Sequence, residues 1–84
     1  MDIAVCDDSM EALNDVRNVL IETNRVNLIE CFNDIDRFMR DVEDGSRYDI
    51  VMMDIDWKEK KNGIDYAAWL YDKAPDTRLI FFTG

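Results

Sequence analysis

Four consecutive apolar residues, Ile50-Val51-Met52-Met53, stop abruptly at Asp54. A strand with one wet face alternates apolar and polar residues, so an unbroken run of this kind reads as a strand buried on both faces. Such a strand lies inside a sheet with cover on each side, which confines the chain to layered α/β architectures. Leu79-Ile80-Phe81-Phe82 repeats the pattern and closes on Thr83-Gly84. Ile3-Ala4-Val5-Cys6 shows it again ahead of Asp7-Asp8. Residues 26–32 are rich in β-formers but broken by Asn27 and Glu30, as suits an edge strand.

The segments between these runs carry helical signals. Asp8 followed by Glu11 fits a capping box, and the stripe Ala12, Leu13, Val16, Val19, Leu20 continues it until Thr23-Asn24. Asn33-Asp34 can cap a second helix with the stripe Ile35, Phe38, Met39, Val42, ended by Asp44-Gly45-Ser46. Residues 56–63 are polar and Lys-rich, hence a loop. Ile64, Ala67, Ala68 and Tyr71 predict the core stripe of a third helix, with Tyr66, Trp69 and Leu70 on its other side, and Pro75 ends it. The order is β-α-β-α-β-α-β. Alternation with short connections predicts a doubly wound parallel sheet with right-handed crossovers. The 84 residues bound the chain to one domain, with no repeat, linker or low-complexity segment.

Composition removes several function classes. The balance of 10 Lys+Arg against 19 Asp+Glu gives −9, and such a surface repels a phosphate backbone, so no nucleic-acid contact is expected from this domain. No apolar run approaches the roughly 20 residues of a membrane span, and no basic region precedes an apolar stretch at the N-terminus. Two cysteines and no histidine argue against a disulfide framework and a His-ligated metal. A small, acidic, cytoplasmic globular domain is the expectation. Cys6 and Cys31 fall on strands expected to be neighbours and read as core thiols.

In an open parallel sheet, ligands bind beyond the carboxyl ends of the strands. The polar residues there are Asp7 and Asp8 after the first strand, Asp54 after the third and Thr83 after the fourth. With 14 Asp in the chain, about two adjacent pairs arise by chance, so position rather than the pair itself carries the weight. Three carboxylates at neighbouring strand ends raise one another's pKa and oppose folding unless a cation is present. A hard divalent ion such as Mg²⁺ satisfies them; the plain alternative is that Asp8 only caps a helix. An Asp beside Mg²⁺ can attack phosphorus and form an aspartyl phosphate, which makes Asp54 a candidate nucleophile. Thr83 could donate its hydroxyl to a phosphoryl oxygen, although alone it reads as an ordinary strand-end threonine.

With those residues in place, the chain resembles the receiver domain of bacterial two-component response regulators. The resemblance rests on Ile3-Ala4-Val5-Cys6-Asp7-Asp8, Tyr48-Asp49-Ile50-Val51-Met52-Met53-Asp54-Ile55, Asn62-Gly63-Ile64-Asp65 and Leu79-Ile80-Phe81-Phe82-Thr83, in the family's order across all 84 residues. The phrasing looks closest to regulators with a LytTR-type DNA-binding domain, hence transcription regulation. The resemblance implies a flavodoxin-like (CheY-like) sheet in the order 2-1-3-4 with three helices. It implies Asp54 as phosphoacceptor for a sensor histidine kinase, and Mg²⁺ held by Asp7, Asp8, Asp54 and the backbone carbonyl of Asp56. Thr83 would be the switch hydroxyl. Such a domain is not a conventional enzyme, since it catalyses only its own phosphorylation and dephosphorylation.

There are departures from the pattern. Residues 56–61 lack the proline that usually follows the phosphoacceptor, and the gap from Asp54 to Gly63 is one residue longer than the commonest spacing. The family fold has five strands and five helices, so residues 1–84 would be the N-terminal portion of a receiver domain. The last strand, with the family's essential lysine, and the last two helices are then missing. That leaves Leu79, Ile80, Phe81 and Phe82 as an uncovered apolar edge, and predicts a homodimer through that strand. A second reading is a non-phosphorylatable interaction or dimerisation module of the same fold. A third is a haloacid-dehalogenase-like phosphatase with Asp54 as nucleophile and Asp56 as general acid/base, against which the DxD strand is third rather than first and Asp7-Asp8 lack a role.

Overall fold

The computed structural model describes residues 1–58 and 62–82. Its elements are β1 (Asp2–Cys6), α1 (Met10–Ile21), β2 (Leu28–Phe32), α2 (Ile35–Glu43), β3 (Ile50–Asp54), α3 (Gly63–Lys73) and β4 (Arg78–Phe82). The strands form one sheet in the order β2-β1-β3-β4, and every pairing is parallel. The expected order of elements and of strands is therefore observed. The two apolar runs Ile3–Cys6 and Ile50–Met53 stand side by side in the middle of the sheet, with Val5 opposite Met52 and Cys6 opposite Met53.

Alternate side chains of these strands feed two separate cores. Ala4, Cys6, Val51 and Met53 meet α2 and α3 through Ile35, Phe38, Val42, Tyr66 and Leu70. Ile3 and Val5 meet α1 through Leu13, with Ile29, Ile50, Met52 and Phe82 partly buried on the same face. Right-handed crossovers place one helix on one face and two on the other, because growth of the sheet reverses direction after β2. A single short helix covers four strands incompletely. On β4, Ile80, beside Met52 on this face, remains exposed, and so does Phe81, beside Met53 on the two-helix face at the edge of the sheet.

Three helix assignments need correction. Asp8 does not cap α1. Ser9 takes that position with an extended backbone, and its Oγ accepts the Ala12 N–H at 3.2 Å. The helix thus starts one residue later than a cap at Asp8 would give. Within α1, Leu13 is buried and Val16 and Leu20 partly so, but Val19 is 65% exposed. Val19 lies about a quarter turn away from the centre of that stripe, beyond the reach of the sheet.

The larger correction concerns α3. It buries Gly63, Tyr66, Ala67 and Leu70, whereas Ile64 and Ala68 are exposed and Tyr71 is 74% exposed. The buried stripe is rotated about 100°, one residue step, from the expected one. The physical cause is the packing of Trp57 against Tyr66 and the closeness of Gly63 to the end of β3. Leu70→Ala is therefore expected to cost about 2–5 kcal/mol, and Tyr71→Ser less than about 0.5 kcal/mol. Urea denaturation of the two variants checks this, and equal losses would contradict the rotated face.

Candidate functional site

β1 and β3 are adjacent and parallel, so their carboxyl ends reach the same edge of the sheet. Asp54 is the last residue of β3, and Asp7 and Asp8 directly follow β1. One carboxylate oxygen from each of Asp7, Asp8 and Asp54 can be chosen so that all lie within 4.8 Å of one another. Asp7 and Asp54 are buried, at 2% and 5% exposure, and Asp8 is half-buried. Because Ser9 caps α1, Asp8 is free to turn toward this cluster, where its Oδ2 accepts the Lys58 backbone N–H at 3.1 Å.

The remaining hydrogen bonds hold these carboxylates in place. Oδ1 of Asp7 accepts the Ser9 amide at 2.9 Å, and Oδ1 of Asp54 accepts the Asp56 amide at 3.1 Å. The Trp57 indole Nε1–H donates to the Asp54 carbonyl oxygen at 2.8 Å, and the Gly63 amide donates to the Ile55 carbonyl at 2.8 Å. Of the residues singled out in the sequence, Asp7, Asp8 and Asp54 are brought together. Asp56 contributes an amide to Asp54, and its own carboxylate is not part of the cluster. Thr83 lies outside the described residues. Trp57 is a further residue of the site, one that position at a strand end does not single out. Its signal was present in the sequence as a large aromatic residue inside an otherwise polar loop.

Burial pushes the Asp7 carboxyl up from 3.8 to about 6. The nearby charges of Asp54 and Asp8 and a hydrogen bond with Asp54 add to this, while the Ser9 amide opposes it. A raised folded-state pKa means that the folded chain binds more protons than the unfolded one between about pH 4 and 6. The corresponding stability is present below pH 4 and lost as pH rises through 6. About two units correspond to at most about 3 kcal/mol, reduced by water reaching the Asp8 side to on the order of 1–2 kcal/mol. Without divalent cations, the chain is expected to be more stable near pH 5 than at pH 7.5 in this respect. Asp7→Asn should flatten that dependence in thermal melts at both pH values, and an unchanged slope would refute the assignment.

The donor set fits a hard divalent cation. Three carboxylates supply oxygen only, two of them are buried, and burial first, with the neighbouring Asp54 and Asp8 charges adding to it, raises the Asp7 pKa. A cleft of about 550 Å³ opens beside them, lined by Asp8, Asn33, Asp34, Asp36, Trp57 and Lys58 among others. A larger hollow of about 830 Å³ lies at the opposite end of the sheet. Its lining mixes the basic Arg47, Lys73 and Arg78 with the acidic Asp2, Asp49 and Asp76.

A four-stranded 2-1-3-4 parallel sheet with an acidic cluster after its first and third strands defines a class: this is the CheY-like receiver fold of response regulators. Among solved structures, the MaeR response regulator bound to beryllium trifluoride matches with a TM-score of 0.88 at 21% identity, over 100% of this chain and 67% of that one. RcsB from Salmonella enterica serovar Typhimurium, bound to promoter rprA in the presence of a phosphomimetic, matches with a TM-score of 0.85 at 19% identity, over 99% of this chain and 68% of that one. The BeF3-activated DrrB receiver domain matches with a TM-score of 0.80 at 22% identity, over 98% of this chain and 64% of that one. The chain thus spans about two thirds of the length of these structures. At such identities the likeness establishes the fold. No protein-family model and no curated protein matches the chain. No helix among the described residues is long and apolar enough to cross a membrane.

Proposed function

We propose that this chain is a phosphoacceptor receiver module, taking a phosphoryl group on Asp54 from the phosphohistidine of a sensor kinase. The observation that carries the reading is the convergence of Asp7, Asp8 and Asp54 at the carboxyl ends of two adjacent central strands. Asp7, Asp8, Asp54 and the backbone carbonyl of Asp56 would hold Mg²⁺, which neutralises charge on the phosphoryl oxygens when bound. An Asp54 carboxylate oxygen forms the new bond to phosphorus. The bond from phosphorus to the donor's imidazole nitrogen breaks, and that nitrogen keeps the electron pair. The Asp56 amide orients the Asp54 carboxylate through Oδ1. Thr83 is proposed to donate its hydroxyl to the phosphoryl group. MaeR and DrrB were each solved with a beryllium fluoride species, which supports the same class of site here.

Incubation with Mg²⁺ and a small acyl phosphate, followed by intact mass, tests the reading. One added phosphoryl group, absent without Mg²⁺, is expected. No adduct would sink it. Multiple turnover of a phosphomonoester, abolished by Asp56→Asn, would instead favour the phosphatase reading.

A second reading rests on a separate observation. β4 stands at the edge of the sheet with Ile80 at 47% and Phe81 at 39% exposure. An apolar edge strand with unpaired backbone groups is a template for another strand. The proposal is a homodimer through Leu79, Ile80, Phe81 and Phe82, in an interaction module that need not be phosphorylated. Light scattering at micromolar concentration is expected to give a dimer, and a monodisperse monomer would refute it.

A further inference from the structure

Among the described residues, the segment after β3 meets the acidic cluster through three hydrogen bonds, one of them from the Trp57 indole. The indole is only 7% exposed, packed edge-on against Tyr66 with ring centroids 6.1 Å apart. Its Nε1–H folds back onto the carbonyl of Asp54, three residues earlier in the chain. This closes a turn with a side-chain donor where an ordinary turn would use a backbone N–H. Inside that turn the Asp56 amide meets Oδ1 of Asp54, and just beyond it the Lys58 amide meets Oδ2 of Asp8. Asp54 ends β3 and Asp8 follows β1, so the turn spans the cluster and its amides contact both carboxylates. The buried Asp54 carbonyl needs a donor, and loss of the indole N–H would release the turn that the two amides ride on.

We infer that Trp57 is a positioning residue, whose indole N–H on the Asp54 carbonyl holds the Asp54 and Asp8 carboxylates in the geometry that binds a divalent cation and accepts a phosphoryl group. The inference deepens the receiver reading and rests on it for the phosphoryl step, while the cation step stands without it.

Trp57→Phe keeps an aromatic ring and removes the donor. Its Mg²⁺ affinity, by titration calorimetry, is expected to fall about tenfold, as the loss of one buried hydrogen bond at the site allows. The rate of acceptance from a small acyl phosphate at saturating Mg²⁺ should also fall, with donor half-saturation unchanged. Tyr66→Leu is the packing control. It loosens the ring contact without touching the donor, and should lower the melting temperature while leaving Mg²⁺ affinity and rate within about twofold of the original chain. In the original chain the Trp57 Nε1–H should exchange slowly with solvent. If Trp57→Phe binds Mg²⁺ as the original chain does, the inference is overturned. It is equally overturned if Tyr66→Leu weakens binding as much as Trp57→Phe, or if the original chain binds no Mg²⁺. If the original chain binds Mg²⁺ but takes up no phosphoryl group while Trp57→Phe still binds weakly, the receiver reading falls and the positioning role stands.

Discussion

Asp54→Asn is expected to abolish uptake of a phosphoryl group, by at least about a hundredfold in rate, because an amide cannot serve as the anionic nucleophile. The same substitution should act on stability in the opposite direction. Asp7, Asp8 and Asp54 crowd three carboxylates at one edge of the sheet, and two of them are buried. The Asn side-chain oxygen can still accept the Asp56 amide, so the turn after β3 keeps that bond. One negative charge is gone, and the Asp7 carboxyl should move back toward its ordinary range. Without Mg²⁺ at pH 7.5, the variant is therefore expected to be more stable by about 1 kcal/mol, and Mg²⁺ should raise its melting temperature less than it raises that of the original chain. Intact mass and parallel melts with and without Mg²⁺ check both halves. An adduct that survives the substitution would place the nucleophile elsewhere. A loss of stability without Mg²⁺ would mean that Asp54 is held by attraction rather than crowded by repulsion.

Gly63→Ala should be the most destabilising single-methyl change near the site. A Cβ at that position would collide with the carbonyl oxygen of Asp54 and lie 2.9 Å from the Ile55 Cα and 3.1 Å from the Asp54 carbonyl carbon. All three are backbone atoms, so no side chain can swing aside. The first residue of α3 must move away from the end of β3, and the Gly63 N–H would withdraw from the Ile55 carbonyl. A cost of about 3 kcal/mol is expected, or roughly 12–24 °C in melting temperature for a domain of this size. Gly45 provides the contrast. Its φ of +107° strains an alanine, but nothing lies within 4 Å of the added Cβ. Gly45→Ala should therefore cost about 1 kcal/mol and leave Mg²⁺ affinity unchanged. If Gly63→Ala melts like the original chain, the close approach of α3 to β3 is wrong. Because Asp54 is displaced along with the contact, Mg²⁺ affinity should fall as well.

Much of this architecture is legible in the residues. The unbroken apolar runs at Ile3-Ala4-Val5-Cys6 and Ile50-Val51-Met52-Met53 could be read as central strands because both faces of such a strand must be dry. The stripe Ile35, Phe38, Met39, Val42 marks α2 without ambiguity, since its other positions are polar. The acids at strand ends followed from the strands themselves. Helix α3 could not be read in the same way. Its segment Gly63-Ile64-Asp65-Tyr66-Ala67-Ala68-Trp69-Leu70-Tyr71 offers apolar residues on nearly every side, so periodicity supports two stripes about 100° apart. The cap of α1 was similarly open, because Asp8 and Ser9 are both good caps and adjacent in the chain.

The residues alone specify the alternation of strands and helices, the doubly wound sheet and the positions of Asp7, Asp8 and Asp54 at strand ends. These depend on local periodicity and on which faces must avoid water. The folded chain is needed to show that Ser9 rather than Asp8 caps α1, which leaves Asp8 to join Asp54. It alone shows that α3 turns Tyr66 and Leu70 inward, and that the Trp57 indole closes on the Asp54 carbonyl. Each of these is a choice between locally equivalent options. Such choices are resolved only by contacts between residues far apart in the chain or on different elements: Lys58 with Asp8, Trp57 with Tyr66, and the backbone of Gly63 with the end of β3.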